Sequence, residues 1–270
     1  MSKFAVIQMC SSIAVGMNLL AVRRQVSEAA EKGAKIVALP DHFALYSKNE
    51  NDYEIHKEIL GEGRIQNFLQ KLSVESGVWL IASGVPIISE YENHSFYLAT
   101  IIYNDIGQLV DVYYHLSSQP PAAFADAHIC FESQVYGEQA KVIKTPYANL
   151  GLASGFDLYS PELFRYLKQQ GADIFVVSMA MDSDLGAASW SFMLKARALE
   201  NNTAVLAANQ SGFHEDTGIL SYGNSSIILA DGRVAQSIEI GEGVLVEAIA
   251  SSTFHNTDAD QGIFQLKYRR

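Results

Sequence analysis

The chain has 270 residues, 49% of them apolar, and a formal net charge of −11 at pH 7. An acidic chain without a cluster of lysines and arginines lacks the basic face that nucleic-acid binding requires, and it is disfavoured on anionic membranes. No apolar stretch approaches the roughly 18 residues of a membrane span, and the first residues are typical of a strand rather than a signal peptide, so we expect a cytoplasmic protein.

The first half of the chain alternates apolar strands with amphipathic helices. A glycine follows each helical pattern, as expected at a helix C-terminus. The predicted elements are a strand at 3–9, a helix at 18–32, a strand at 35–39, a helix at 65–75, a strand at 78–88 and a hairpin of 95–103 with 109–114.

The second half repeats this alternation. Its predicted strands are 140–144, 150–156, 173–179, 203–209, 225–229 and 243–249, and its second helix is 187–200. Its first helix has clear start signals, since Ser160 is a candidate cap, Pro161 suits the first helical position and Glu162 favours the positive end of the helix dipole. We expect that helix to stop at Gly171.

Both halves contain a helix end, then Gly-Ala, then a buried strand, in "EAAEKGAKIVALPD" and "YLKQQGADIFVVSM". Two such halves predict two sheets packed face to face with helices outside, which is an α/β fold of α-β-β-α sandwich type with an internal pseudo-two-fold repeat. No linker composition divides the chain, so residues 1–270 are interpreted as one domain.

The two cysteines, Cys10 and Cys130, lack CxxC spacing, and no His/Cys/Asp cluster has metal-ligand spacing. We therefore expect no disulfide framework, no metal and no cofactor.

Eight stretches, in this order and spacing, resemble the nitrilase superfamily of carbon–nitrogen hydrolases, in particular the branch of Nit-type amidases. They cover nearly the full length and read "AVIQM", "GAKIVALPDHFAL", "LGEGRIQNFL", "GFDLYSPELFR", "GADIFVVSMA", "WSFMLKARALEN", "AANQSG" and "YGNSSII". The resemblance implies a nitrilase-like sandwich, and commonly a homodimer or higher homo-oligomer.

The resemblance also implies a catalytic set. In the family a glutamate is the general base, a lysine stabilises the oxyanion and a cysteine attacks the amide or nitrile carbon. The glutamate follows a proline in an LPE pattern, and this chain has Asp41 at that position in "LPDHF". The shorter side chain retracts the carboxylate by roughly 1 Å, which can cost on the order of a hundredfold in rate.

The lysine of the family lies in a pattern like YxKxHL. The corresponding segment here is "VDVYYHLSSQP", in which His115 and Leu116 match the end and Tyr113 or Tyr114 stands in the neighbourhood of the lysine. A tyrosine hydroxyl donates one hydrogen bond but carries no positive charge. The second glutamate of the family, which orients the lysine, corresponds to Glu132 in "CFESQ".

The cysteine of the family stands two residues before an aspartate and six before Pro-Glu. Counting back from "DLYSPE" places that position at Gly155, where a hydrogen replaces the thiol. All three catalytic positions are therefore altered.

Other residues are weaker candidates for relocated chemistry. Ser154 precedes the lost thiol, but alternation along a strand predicts that it faces away from the pocket, as a buried hydroxyl bonded to backbone. Cys130 with His128 shares one strand face, and His42 beside Asp41 is a candidate acid or base. For each of these, packing or solvation is the alternative.

The remaining candidates concern pocket lining and loops. We expect Tyr114, His115, Ser154, Phe156 and Trp190 to border the pocket, although Trp190 shares a helix face with three residues that predict core packing: Met193, Leu194 and Arg197. Arg197 and Glu200 predict an ion pair. Two acidic pairs, Asp182 with Asp184 and Asp258 with Asp260, are interpreted as solvated loop carboxylates.

These substitutions predict a carbon–nitrogen hydrolase homologue that is catalytically inactive and binds a small amide- or amine-bearing metabolite or a partner protein. Two alternatives stay open. One is a residual or altered amidase (an ω-amidase, for instance) that acts on small amides with a non-standard nucleophile. The other is a structural subunit that pairs with an active relative.

Overall fold

The structure is a computed structural model that describes residues 1–90, 95–116 and 131–251. In chain order, the first half consists of β1 (Ser2–Gln8), α1 (Val15–Glu31), β2 (Ala34–Ala38), α2 (Glu50–His56), α3 (Arg64–Ser76), β3 (Trp79–Ile88), β4 (Phe96–Tyr103), β5 (Leu109–Tyr114) and β6 (Gln134–Val135). The second half consists of β7 (Val142–Lys144), β8 (Asn149–Ser154), α4 (Pro161–Gln169), β9 (Ile174–Met179), α5 (Ser183–Asn201), β10 (Ala204–Asn209), β11 (Ser211–His214), β12 (Ile219–Tyr222), β13 (Ser225–Ile228), β14 (Val234–Ile238) and β15 (Gly243–Ile249).

The two main sheets have the same topology. The first has the order β15-β1-β2-β3-β4-β5 and the second the order β7-β8-β9-β10-β13-β14 when it is read in the matching direction. In each sheet three central strands are parallel, and the flanking strands pair antiparallel. The predicted α/β sandwich with an internal pseudo-two-fold repeat is confirmed.

Three apolar layers hold the sandwich together. Because the central strands are buried on both faces, they read as nearly continuous apolar runs rather than as an alternation. The layer between the sheets includes Phe4, Ile36, Ile81, Leu152, Val176 and Leu206. Outer layers bury α1 and α3 against the first sheet, and α4 and α5 against the second.

Several predicted boundaries need correction. The helix α1 begins at Val15 and α5 at Ser183, each a few residues before the predicted start. The side chain of Ser160 makes no capping hydrogen bond, although Pro161 and Glu162 take the expected places in the first turn. The prediction missed α2, which is only seven residues long, and the short strands β6, β11, β12 and β14.

Within the described residues, no helix is long and apolar enough to cross a membrane.

Candidate functional site

The site lies where the parallel strands of both sheets end. Side chains that face the space between the sheets change there from apolar to polar, because Ser83 follows Ile81 on β3, Ser154 follows Leu152 on β8, and a third serine, Ser178, occupies the corresponding place on β9. The carboxyl ends of parallel strands are the usual location of ligand sites in α/β sheets. All three serines are at most 1% exposed.

Asp41 reaches this polar layer from the loop after β2. Its Oδ1 accepts hydrogen bonds from the His42 backbone N–H at 3.1 Å and from the Ser83 hydroxyl at 3.0 Å. The carbonyl of Asp41 accepts a bond from the Gln210 amide at 2.9 Å, which fixes the backbone. Gly84 allows this approach, since a Cβ there would lie 2.6 Å from Asp41 Oδ1. The carboxylate is therefore held in one orientation.

Gly155 lies directly beside that carboxylate. Its φ is +57°, and Asp41 Oδ2, at 3.9 Å, is the only described atom within 4 Å of a Cβ built on Gly155, apart from atoms of the two chain neighbours. The position that the resemblance assigns to the nucleophile thus faces the position that it assigns to the base.

The two tyrosines of "VYYHL" face opposite sides of the first sheet. Tyr113 points between the sheets, where its hydroxyl donates to Asp157 Oδ2, so Tyr113 is the tyrosine of this pair that faces the site. Tyr114 packs on the outer side with its ring 4.1 Å from that of Tyr97, so its predicted place in the pocket is wrong. Strand alternation is the physical reason.

Asp157 is a second buried carboxyl group at the site. It accepts hydrogen bonds from Tyr113 and from the Ser154 backbone N–H at 2.9 Å. Burial raises the pKa of Asp157, while these hydrogen bonds act in the opposite direction. Burial also raises the pKa of Tyr113 well above its ordinary value, so the phenol stays neutral.

Two histidines contact Asp41 at distances longer than hydrogen bonds. His115 Nε2 lies 3.7 Å from Oδ1, and His42 Nε2 lies 3.8 Å from Oδ2. Burial lowers the pKa of both imidazoles, and Asp41 only partly opposes this effect, so both rings are neutral at pH 7. Among the described residues, no lysine or arginine forms an ion pair with Asp41.

Ser154 lies closer to Asp41 than strand alternation predicted. Its hydroxyl is 2.5 Å from that of Ser83, which in turn donates to Asp41, so Ser154 does not face the far side of the sheet. It is completely buried, however, and donates to the Ser178 carbonyl at 3.2 Å. That contact agrees with the interpretation of Ser154 as a hydroxyl bonded to backbone.

The structure places the other predicted residues away from Asp41. Glu132 is exposed in a turn and has no hydrogen bond to Asp41 or Ser83 in the described part of the chain. Phe156 packs in the α4–α5 layer, 4% exposed. Trp190 is a core residue with no exposed surface, and its indole donates to the Asn224 carbonyl, so its predicted pocket role is wrong.

The ion pair predicted on α5 is confirmed. Arg197 pairs with Glu200 at 2.8 Å and also donates to the Leu158 carbonyl. Asp182 caps α5, with its Oδ1 accepting from the Leu185 N–H at 2.9 Å, rather than being solvated. Four candidates lie outside the described residues: His128, Cys130, Asp258 and Asp260. The described residues contain no cluster of side chains that could hold a metal ion.

A further polar group beside the site was missed from the sequence. Tyr46 lies between His42 and His214, with ring centroids 5.8 and 4.2 Å away. His214 Nδ1 donates to the Ser11 carbonyl, and its Nε2 lies 2.9 Å from the Ser221 hydroxyl. Burial raises the pKa of Tyr46 to about 12, so the phenol is neutral. The stretch "GAKIVALPDHFAL", quoted for the family resemblance, ends directly before Tyr46, and "AANQSG" and "YGNSSII" flank His214 and Ser221.

This arrangement can accept hydrogen bonds and attract positive charge, because Asp41 Oδ1 is fixed by two hydrogen bonds while Oδ2 accepts none from the residues that the structure describes. The mechanism that the resemblance implies needs a sulfur for thiolate attack on the amide carbon and an ammonium that stabilises the oxyanion. In the described part of the chain neither group lies next to Asp41.

Comparison with known proteins identifies the family. The model of the carbon–nitrogen hydrolase family matches residues 3–258. The deaminated glutathione amidase of Yersinia enterocolitica is 30% identical over 233 residues, covering 85% of this chain and 80% of that protein. The protein of the same name from Mus musculus is 30% identical over 249 residues, covering 91% of this chain and 76% of that protein.

Solved structures show the same fold at lower identity. Nit3 of Saccharomyces cerevisiae, a member of branch 10 of the nitrilase superfamily, has a TM-score of 0.84 at 21% identity, covering 100% of this chain and 96% of that chain. The NitFhit protein of C. elegans has a TM-score of 0.85 at 24% identity, covering 97% of this chain and 63% of that chain. The chain belongs to the carbon–nitrogen hydrolase family.

Proposed function

We propose that this chain is a pseudoenzyme, a carbon–nitrogen hydrolase homologue that binds a small molecule at the Asp41–Gly155 site without hydrolysing it. The observation that carries the proposal is the space above Gly155, which faces Asp41 Oδ2 where the family has a thiol. The replacement of the lysine by Tyr113, which donates to Asp157, supports it independently.

Magnitudes favour binding over turnover. Removing a nucleophile that acts within a catalytic unit costs roughly a millionfold in kcat, and removing an oxyanion-stabilising group costs on the order of 10²–10³. These losses do not add, but the first alone brings the rate close to background. The polar layer around Asp41 nevertheless has a connected hydrogen-bond network. In it, the Ser83 hydroxyl contacts Asp41, Thr100, His115 and Ser154.

A residual amidase is the second candidate. Its support is that two relatives at 30% identity are named deaminated glutathione amidases, and that a carboxylate is retained at Asp41. It requires a nucleophile that replaces the thiol. Ser154 is the nearest hydroxyl to that position in sequence, but it has no exposed surface and is bonded to Ser178.

A third candidate is a structural subunit that pairs with an active relative. Our own preference is a cytoplasmic homodimer or higher homo-oligomer. Light scattering on the purified chain measures the mass of that oligomer. Elution of the native protein without a second subunit would remove the third candidate.

Two assays on the same protein separate binding from hydrolysis. A panel of short ω-amides, with deaminated glutathione included, is screened for ligand-induced thermal stabilisation and for release of ammonia. The proposal predicts stabilisation by at least one compound and no ammonia above a heat-denatured control. Sustained ammonia release from a compound that also stabilises the protein would establish the residual amidase instead.

A further inference from the structure

We propose that the ligand of the Asp41–Gly155 site carries a primary ammonium group, which pairs with Asp41 Oδ2 above Gly155. This inference rests on the proposed function, namely binding without hydrolysis, and adds the chemical class of the ligand.

The first step is the unequal bonding of the two carboxylate oxygens. Oδ1 accepts two hydrogen bonds, from the His42 N–H and the Ser83 hydroxyl. No described residue donates a hydrogen bond to Oδ2, and His42 Nε2, at 3.8 Å, is too far away for one. The Asp41 side chain is only 5% exposed, so bulk water does not satisfy Oδ2 freely.

The second step is charge. A buried carboxylate is costly unless it is paired with a positive group. His42 and His115 do not supply that charge at pH 7, because burial lowers the pKa of each. The described residues place no lysine or arginine within ion-pair distance of Asp41, and the lysine position of the family is held by neutral Tyr113.

The third step is space. Apart from its two chain neighbours, a Cβ on Gly155 would meet only Asp41 Oδ2 within 4 Å among the described residues. A compact donor therefore fits between Gly155 and the free oxygen. An ammonium group there gains a charge-assisted hydrogen bond, which is roughly twice as strong as one between neutral groups.

These steps also exclude alternatives. A ligand carboxylate at this point would face Asp41 with the same charge, since Asp157 and the neutral phenols offer it no cation. A neutral amide could donate to Oδ2 but would leave the buried charge uncompensated. The ammonium group is therefore preferred over both.

The test uses three matched probes: n-butylammonium chloride, butyramide and sodium butyrate, at pH 7 and equal ionic strength. We expect n-butylammonium alone to raise the thermal midpoint of the wild-type protein in a dose-dependent way. The Asp41→Asn variant should weaken the apparent Kd for n-butylammonium at least about tenfold. Asp231→Asn, in an exposed turn near Arg233, is the control and should bind as the wild type does.

A second variant guards against misfolding of Asp41→Asn. Gly155→Ser places a hydroxyl where it can donate to Oδ2, and it should abolish the shift while the carboxylate stays in place. An equal shift with butyramide, no shift with n-butylammonium in the wild type, or an undiminished shift in both variants would overturn the ammonium assignment. Binding of butyramide alone would leave the proposed function standing, whereas ammonia release would end the proposed function without affecting this comparison.

Discussion

At the scale of single residues, Gly155 decides what the site can do. Gly155→Cys restores the sulfur, but φ of +57° places the new side chain in a backbone region that costs an L-residue roughly 1–2 kcal/mol. We expect a folded variant with a lowered thermal midpoint and no release of ammonia from short amides, because no lysine of the described ranges lies within ion-pair distance of Asp41 to stabilise the oxyanion. Efficient hydrolysis by this single variant would show that the lysine has been misplaced.

The reciprocal experiment restores the whole set. The variant Asp41→Glu/Tyr113→Lys/Gly155→Cys should release ammonia faster than Gly155→Cys alone, since base, cation and nucleophile act as a unit. Continuous ammonia detection on both variants, with circular dichroism to verify folding, makes the comparison. Equal background rates in two folded proteins would mean that the scaffold itself has lost the geometry of catalysis.

Ser83 is the centre of the polar layer. Its hydroxyl contacts Asp41, Thr100, His115 and Ser154. Ser83→Ala leaves buried partners unsatisfied and should lower the free energy of unfolding by about 1–3 kcal/mol, measured by urea denaturation. Ser237→Ala, at an exposed position of β14, should stay within about 0.5 kcal/mol of the wild type. An unchanged midpoint for Ser83→Ala would contradict the network.

The two buried histidines predict a pH dependence. Burial lowers the pKa of His42 and His115 below the ordinary 6.5, so the unfolded chain binds protons first as pH falls. The free energy of unfolding that depends on these two neutral imidazoles is therefore fully present above about pH 6.5. It falls as the pH drops from there toward the folded-state pKa, by at most about 1.4 kcal/mol per pH unit for each histidine. Asp157, whose pKa is raised, acts with the opposite sign.

The contribution of the two histidines to the pH dependence of stability is isolated by comparing variants that all keep Asp157, so that the contribution of Asp157 is the same in each. Between pH 7.0 and pH 5.5, the urea midpoint should fall less in the His42→Asn/His115→Asn variant than in the wild type. His56→Asn, on α2 and away from Asp41, should keep the wild-type slope. The same slope in all three proteins would contradict the burial of neutral imidazoles.

Part of the site could be predicted from the sequence. Asp41, His115 and Gly155 follow from motifs at fixed offsets, and the structure brings them together. Ser83 carries no motif of its own, because a serine after an apolar strand is common. The sequence does not decide whether Tyr113 or Tyr114 faces the site, since that choice requires the register of β5, which a single sequence does not fix.

At the scale of elements, the start of α5 provides a direct test. Asp182 caps this helix through the Leu185 N–H, whereas Asp184 lies exposed in its first turn. Asp182→Ala should cost about 1 kcal/mol of unfolding free energy, and Asp184→Ala only a few tenths. Equal effects of the two substitutions in urea denaturation would argue against the cap.

Helices and strands can be predicted from the sequence where their apolar pattern extends over many residues. The helices α1, α3, α4 and α5 and the central strands follow from apolar patterns over many residues. The seven residues of α2 are too few for a periodic pattern, and β11 and β12 have only four residues each. Their positions depend on tertiary contacts such as the Asp182–Ser221 bridge.

At the scale of the whole molecule, the two repeats present the carboxyl ends of their parallel strands to one shared layer. The first repeat supplies Asp41 and Ser83, and the second supplies Ser154, Gly155 and Ser178. Each repeat alone lacks half of the site. The fold of the carbon–nitrogen hydrolase family thus brings residues of both repeats to one carboxylate, Asp41.

The most direct test of this account is intact-protein mass spectrometry of the unmodified chain, quenched during incubation with short ω-amides while released ammonia is measured in parallel. The account predicts an unchanged protein mass and no ammonia above background. An acyl adduct that maps to a residue bordering Asp41, formed together with ammonia, would contradict it.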